Sequence, residues 1–287
     1  MSLVTLAQIK AELKADATTT GQEQNLMSLA RYVTTAWRRL VGLDFEPQYR
    51  VKRITANGMN VGGGGLTLRL DEPLLEVIGS ITNDGSALTY GTDVSAYPPD
   101  ERMPIRMLML SDTGACLNWY PLNSQSAYNT ILIPGYWGAR SYYSTEGWVD
   151  TLTTLSANIT DTTSKAFGVA DIDGLDALYR TPAISAGNLC KVDNEIFEVD
   201  ATDTGANTGL WRRGQRGSTA VTHASGTKVY TWNPEPDVVQ ALTRWACYGF
   251  ARKGAFEESV ITDLGQISYP ADAPRQVRHV AQGYAQW

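Results

Sequence analysis

Any acid–base or hydrolytic chemistry in this chain would lean on one of its two histidines, His223 and His279. They stand in different contexts, and no sequence pattern pairs either with a nucleophile. There is no G-x-S-x-G, no phosphate loop and no H-E-x-x-H. The glycine run from Gly62 to Gly65 lacks a following Lys-Ser/Thr and reads as a turn. Asp171, Asp173 and Asp176 gather around Gly174, but a calcium loop needs a set ligand spacing and a closing glutamate. Neither is present, so the expectation is a solvated loop and no metal. Glu195 and Glu198 are three apart, which on a strand puts them on opposite faces and separates them as a catalytic pair.

The richest stretch runs from Gly209 to Val229, G-L-W-R-R-G-Q-R-G-S-T-A-V-T-H-A-S-G-T-K-V. A strand end leads into a Gly-Gln-Arg-Gly turn, a histidine, and a Gly-Thr before the next strand. Gly214 and Gly217 permit positive φ, and Thr219 and His223 are placed to tie the connection by hydrogen bonds. Arg212, Arg213 and Arg216 make it locally basic in an acidic protein. Two readings follow: a structural turn with solvated arginines, or a contact loop for a partner protein or passing DNA.

Composition narrows the class. A formal charge of −6 argues against a protein whose main task is wrapping nucleic acid. Three scattered cysteines give neither a disulfide framework nor a zinc site. The start lacks a signal-peptide pattern, and no apolar run reaches the ~18 residues of a membrane span. The expectation is a soluble chain made in a reducing cytoplasm, with no membrane partner and no cofactor.

The elements that position these residues follow from periodicity. Thr5 to Ala15 reads as a short helix capped by Thr5, and Gln22 to Val41 as a longer one ended by Gly42. Leu26, Leu29, Val33 and Trp37 lie on one face of the second. A third helix over 237–253 is expected, with Asn233 as cap, Pro234 and Pro236 in its opening turn, and Val238, Leu242 and Trp245 on one face. Leu242 and Trp245 should meet Leu29, Val33 or Trp37. Between these helices the period falls toward two. Strands are expected near 51–55, 66–70, 74–82, 87–90, 105–110 and 128–133, with a hairpin at Asn83-Asp84-Gly85-Ser86. After a boundary at 139–147, short strands at 177–179, 189–192, 195–199, 209–212 and 227–231 suggest a small barrel or sandwich. The polar stretch 151–170 has no assignment. Trp119, Tyr120, Tyr142, Tyr143 and Trp148 are aromatics outside obvious core positions. The fold class is α+β: two N-terminal helices and one late helix forming a small core, a β-region, and an inserted barrel or sandwich.

The pattern R-G-x-x-G-S-T-A-x-x-H-x-x-G-T-x-V from Arg213 to Val229, preceded by the strand D-N-E-I-F-E-V, resembles a small β-module of tailed-phage virion proteins. The remainder resembles the phage head–tail connector (adaptor) family. A short and a long helix lead to Gly42-Leu43-Asp44-Phe45, a β-region leads to Gly135-Tyr136-Trp137-Gly138, and a proline-started helix ends in basic residues. The segment between Ala139 and Trp232 is additional to a minimal connector. The resemblance implies five parts: a helical hairpin over 1–48, a connector β-region over 49–142, an inserted module over 143–232, a closing helix over 233–256 and a portal-docking tail over 257–287. It implies a non-enzymatic dodecameric ring in the virion neck, assembled in the host cytoplasm. Its partners would be other copies of itself, the portal and a tail-side protein, with DNA passing through the lumen unbound. Tyr269, Pro270, Arg275, Arg278, Tyr284 and Trp287 would dock on the portal, and the module would sit outside the ring. The alternatives are a tail or baseplate module contacting host or carbohydrate and, more remotely, a hydrolase.

Overall fold

A computed structural model describes residues 2–14, 22–57, 59–100, 102–112, 114, 116–119, 130–251 and 273–284. The fold is α+β, with helices from both ends of the chain, a nearly closed six-stranded antiparallel barrel and a second antiparallel sheet. The chain divides into two compact units. One comprises 1–42, 148–215 and 219–287, and the other 43–147 and 216–218. The barrel thus shares a unit with the helices.

In the first unit, α1 (Leu6–Leu13) starts at a capping box. Thr5 Oγ1 accepts from Gln8 N–H, and Gln8 Oε1 accepts from Thr5 N–H. The helix α2 (Glu23–Val41) ends where Gly42 turns left-handed at φ 76° and its N–H reaches the Arg38 carbonyl at 2.8 Å. The helix α4 (Pro236–Ala251) begins at Pro236, where a missing N–H costs nothing. Asn233 is therefore too early to cap it, and its Oδ1 instead accepts from Arg180 Nη1. Residues 252–253 of the expected helix lie outside the described residues.

Leu26, Val33 and Trp37 on α2 and Val238, Leu242 and Trp245 on α4 are buried, and Leu29 is half-buried. α4 packs on α2 and on α1, and a Cβ placed on Gly249 would lie 3.5 Å from Leu29. The tail contributes a further helix, α5 (Arg275–Tyr284), packed on both α4 and α2. Its buried face is Val277, Ala281 and Tyr284. The Tyr284 hydroxyl donates to Asp237 Oδ1 at 2.8 Å, and its ring meets Trp37 edge-on.

The barrel has the order β10 (Ala166–Gly168), β13 (Thr208–Arg212), β12 (Glu195–Asp203), β11 (Leu189–Val192), β14 (Lys228–Trp232), β9 (Trp148–Thr154). A bridge between Leu155 and Val169 brings its ends together, with Ala170 N–H on the Thr154 carbonyl. Phe167, Phe197 and Trp211 stack inside it. The unassigned stretch 151–170 supplies β9 and β10. Its strands escaped detection because the burial pattern is inverted. Thr151 and Thr153 point inward with their hydroxyls satisfied by the Val229 carbonyl and Asp171 N–H, while Leu152 points out. The expected strand at 177–179 is a turn, held by the buried carboxylate of Asp176.

The second unit is built on β8 (Ile131–Trp137). β1 (Gln48–Ile54) covers one edge along its whole length, and β3 (Thr67–Val77) and β4 (Ile81–Asn83) share the other. β7 (Ile105–Leu110) pairs with β3, and β6 (Val94–Ala96), a strand not expected from the sequence, pairs with β7. β5 (Ser86–Leu88) closes the expected hairpin, with Asp84 and Gly85 both at positive φ. The run at 62–65 is a turn between β2 (Val61–Gly62) and β3. Gly135 must be glycine, because a Cβ there would stand 2.3 Å from the Glu76 carbonyl oxygen. Trp119 is core: it is fully buried, and its indole N–H donates to the Leu66 carbonyl. Tyr142 is exposed, Tyr143, which opens the single-turn α3 (Tyr143–Glu146), and Trp148 are partly buried, and Tyr120 lies outside the described residues.

Because Leu242 is fully buried on α4, the helix that packs on α1 and α2, Leu242→Ala should cost about 2–5 kcal/mol. Urea unfolding would show this as a lower midpoint; an unchanged midpoint would mean that α4 contributes little to the first unit.

Candidate functional site

The Arg-Gly loop singled out by sequence is organised around one carboxylate. Glu195 opens β12 and is wholly buried. Arg213 approaches it with a two-pronged fork, Nε to Oε1 at 3.0 Å and Nη2 to Oε2 at 2.7 Å. Gly214 N–H donates to Oε1 at 3.0 Å and Val221 N–H to Oε2 at 2.9 Å. His223 Nε2 lies 2.9 Å from Oε2, and its Nδ1 lies 2.8 Å from Asp193 Oδ2. Both ring nitrogens therefore lie within hydrogen-bond distance of carboxylate oxygens, which fixes the plane of the imidazole between two acids. Burial alone would raise the Glu195 pKa. The bonds from Arg213, Val221 N–H, His223 and Gly214 N–H outweigh that and hold it below the usual carboxylate range.

The local fold explains how these groups converge. Gly214 takes positive φ, which turns the chain back over β12, and Gln215 N–H pairs with the Ile196 carbonyl. Arg213 also donates to the carbonyls of Asp161 and Val221, and the His223 backbone exchanges hydrogen bonds with Ile159. Asp161 is itself the hub of a turn, accepting from Thr163 and Ser164, which hold its carboxyl well below the usual range. The site therefore stitches the link between β9 and β10 to the loop between β13 and β14. No protein-family model, curated protein or solved structure matches the chain.

The three arginines of the loop are all engaged internally. Arg212 forks between Glu198 at 2.5 Å and Asp200 at 2.9 Å and stays partly exposed. Arg213 is buried on Glu195. Arg216, at φ 55°, belongs to the second unit, where it is buried against Asp44 at 3.1 Å and against Glu46. Its carbonyl accepts from Tyr49 N–H, and Gly217 follows so closely that a Cβ would stand 2.2 Å from the Tyr49 oxygen. Glu195 and Glu198 take separate arginines, consistent with opposite faces. Thr219 is exposed and ties nothing among the described residues.

The other residues singled out by sequence are dispersed. Asp171 Oδ1 accepts from Gly174 N–H, Asp176 binds its own turn and Arg180, and Asp173 is exposed. Of the docking set, Arg275 and Arg278 are exposed on α5, whereas Tyr284 is buried because its ring fills the space beside Trp37. Tyr269, Pro270 and Trp287 lie outside the described residues. His279 is exposed. Asp193 is the functional partner that sequence reasoning missed; its position two residues before Glu195 on the incoming turn was the available signal.

A carboxylate with a lowered folded pKa stabilises the fold above its unfolded value, near 4.3, and loses that contribution as pH falls through the folded one. Glu195 should therefore make the barrel acid-sensitive below about pH 4. Glu195→Gln should cost roughly 3 kcal/mol at neutral pH by leaving Arg213 without its counter-charge, and should flatten the acid limb. Urea midpoints measured against pH would show both effects. A variant with the wild-type acid limb would assign that sensitivity to other carboxylates.

Proposed function

We propose that this chain is a non-enzymatic structural subunit of a tailed-phage head–tail connector, forming a homo-oligomeric ring between the portal and a tail-side protein. The observation that carries the reading is the packing of α4 on α1 and α2 across a long β excursion. That is the packing that the resemblance to the connector family leads one to expect. A helix docked instead on the barrel strands would have removed this support.

The candidate site supports a holding role for the inserted module. Each polar atom of Glu195, and the guanidinium of Arg213, serves the closure of the barrel. Arginines tied to carboxylates do not grip phosphates, so DNA would pass the Arg-Gly loop without being held by it. The acidic net charge favours the same unretarded passage. Portal docking falls to the exposed face of α5, at Arg275 and Arg278, and to the adjoining chain.

Imaging of assembled particles tests the reading. The expected result is a closed ring of about twelve copies at the head–tail junction, built from one repeated head-to-tail interface. Trimers at the distal end of a tail would replace it with the host-contact reading.

A further inference from the structure

One turn of the barrel unit is built against its own interest. Residues 171–183 form a loop pinned by Asp176, whose carboxylate accepts from Leu178 N–H, Arg180 N–H and Arg180 Nε. Thr181 Oγ1 fastens the far side to the Asp173 carbonyl, and Ala183 N–H to that of Gly174. At the tip, Tyr179 is held at φ 60°, a region that strains bulky residues and suits glycine. Its side chain is 85 % exposed, so the ring returns nothing to the fold. Leu175 and Leu178 are exposed beside it. Asp171 and Asp173 on the same loop have no ion-pair partner among the described residues, whereas Arg180 is neutralised by Asp176. The turn is a rigid apolar knob with an acidic rim.

The second unit carries a surface of opposite character. Leu68, Leu108 and Ala96 align across β3, β7 and β6 toward the core, which puts Arg69, Met107 and Tyr97 in a row on the outer face. Met109 continues that face, and Tyr97 is exposed. Arg69 has no counter-ion among the described residues.

Resting on the ring reading above, we infer that the 171–183 turn of one copy docks on the β3–β7–β6 outer face of a second copy, with Tyr179 and Leu178 as apolar anchors and Asp173 facing Arg69. The occupant is a second copy because the two surfaces are complementary in charge and in kind. Aromatic and leucine anchors meet adaptable methionines, and the carboxylate of Asp173 meets the guanidinium of Arg69. The acidic rim also disfavours an anionic membrane as the partner of the knob. One knob and one receiving face per copy make a heterologous interface, which repeats head to tail.

Sedimentation velocity on the full chain, across concentration, is the test. Tyr179→Gly removes the anchor at a position where glycine relieves strain. It should leave the unfolding midpoint no lower than wild type while weakening self-association at least about tenfold. Asp173→Lys and Arg69→Glu should each weaken it, and a mixture of the two variants should recover association, since each supplies the surface the other lacks. Wild-type association by Tyr179→Gly and Asp173→Lys would overturn the interface and leave the ring reading standing. A chain monomeric at every concentration would also overturn the interface, and the ring would then stand or fall on particle imaging alone.

Discussion

A carboxylate removed from water needs donors from the protein, and Glu195 recruits five: two from Arg213, the N–H groups of Gly214 and Val221, and His223. This one demand fixes the course of the chain from 213 to 223. It also reaches further, because Arg213 is shared with the Asp161 carbonyl and His223 with Ile159. The segment joining β9 to β10 is held on one side by that shared arginine and on the other by the Leu155–Val169 bridge. The barrel approaches closure where polar groups stitch it, while Phe167, Phe197 and Trp211 fill the inside. Replacing such a network by apolar residues can be neutral, but removing one member strands the others. The network is thus better understood as a specification of loop geometry than as a store of stability.

The same device recurs in the second unit. Arg216 is buried against Asp44 and Glu46, and these acids lie in the Gly-Leu-Asp-Phe stretch and just after it. The Gly42–Glu46 stretch is, physically, the acceptor for an arginine from far along the chain. Gly217 follows because the backbone of Tyr49 leaves no room for a Cβ. Linear reading made Arg212, Arg213 and Arg216 a basic patch. Folding distributes them among five carboxylates, three on β12 and two between α2 and β1, and the patch dissolves.

What the sequence made legible was whatever depends on local signals. The helix faces, the Thr5 cap, the Gly42 stop and the Asn83–Ser86 hairpin all rest on short-range chemistry, and each is present. β11 was legible for the same reason, its short apolar run being bounded by turn residues. The misses share a different cause. β9 hides because threonines face inward and a leucine faces outward, a choice that only the Val229 carbonyl and Asp171 N–H make affordable. Trp119 is core, as an aromatic more often is, but no local signal marks its place, because its acceptor, the Leu66 carbonyl, is more than fifty residues away. The Tyr284 ring looked like a docking group because nothing local tells of Trp37. The candidate site was half legible: the Gly-Arg-His pattern marked a structured loop, but its role depends on which buried acid it meets.

The helices raise a question of order that the barrel answers. α2 and α4 are some two hundred residues apart, yet the entropy of closing so long a loop grows only logarithmically, by about 0.6 kcal/mol for each doubling. Closure is further eased if the excursion has already folded. Each β-region has its own apolar core, one around Leu68, Leu108 and Trp137 and one around Phe197 and Trp211, and neither draws a core residue from the helices. With both β cores formed, the loop that α4 closes would be a chain of folded pieces rather than a free coil. Laying α4 and α5 on α2 uses apolar faces that the sequence displays, and the Tyr284 hydroxyl on Asp237 fixes the last helix in register.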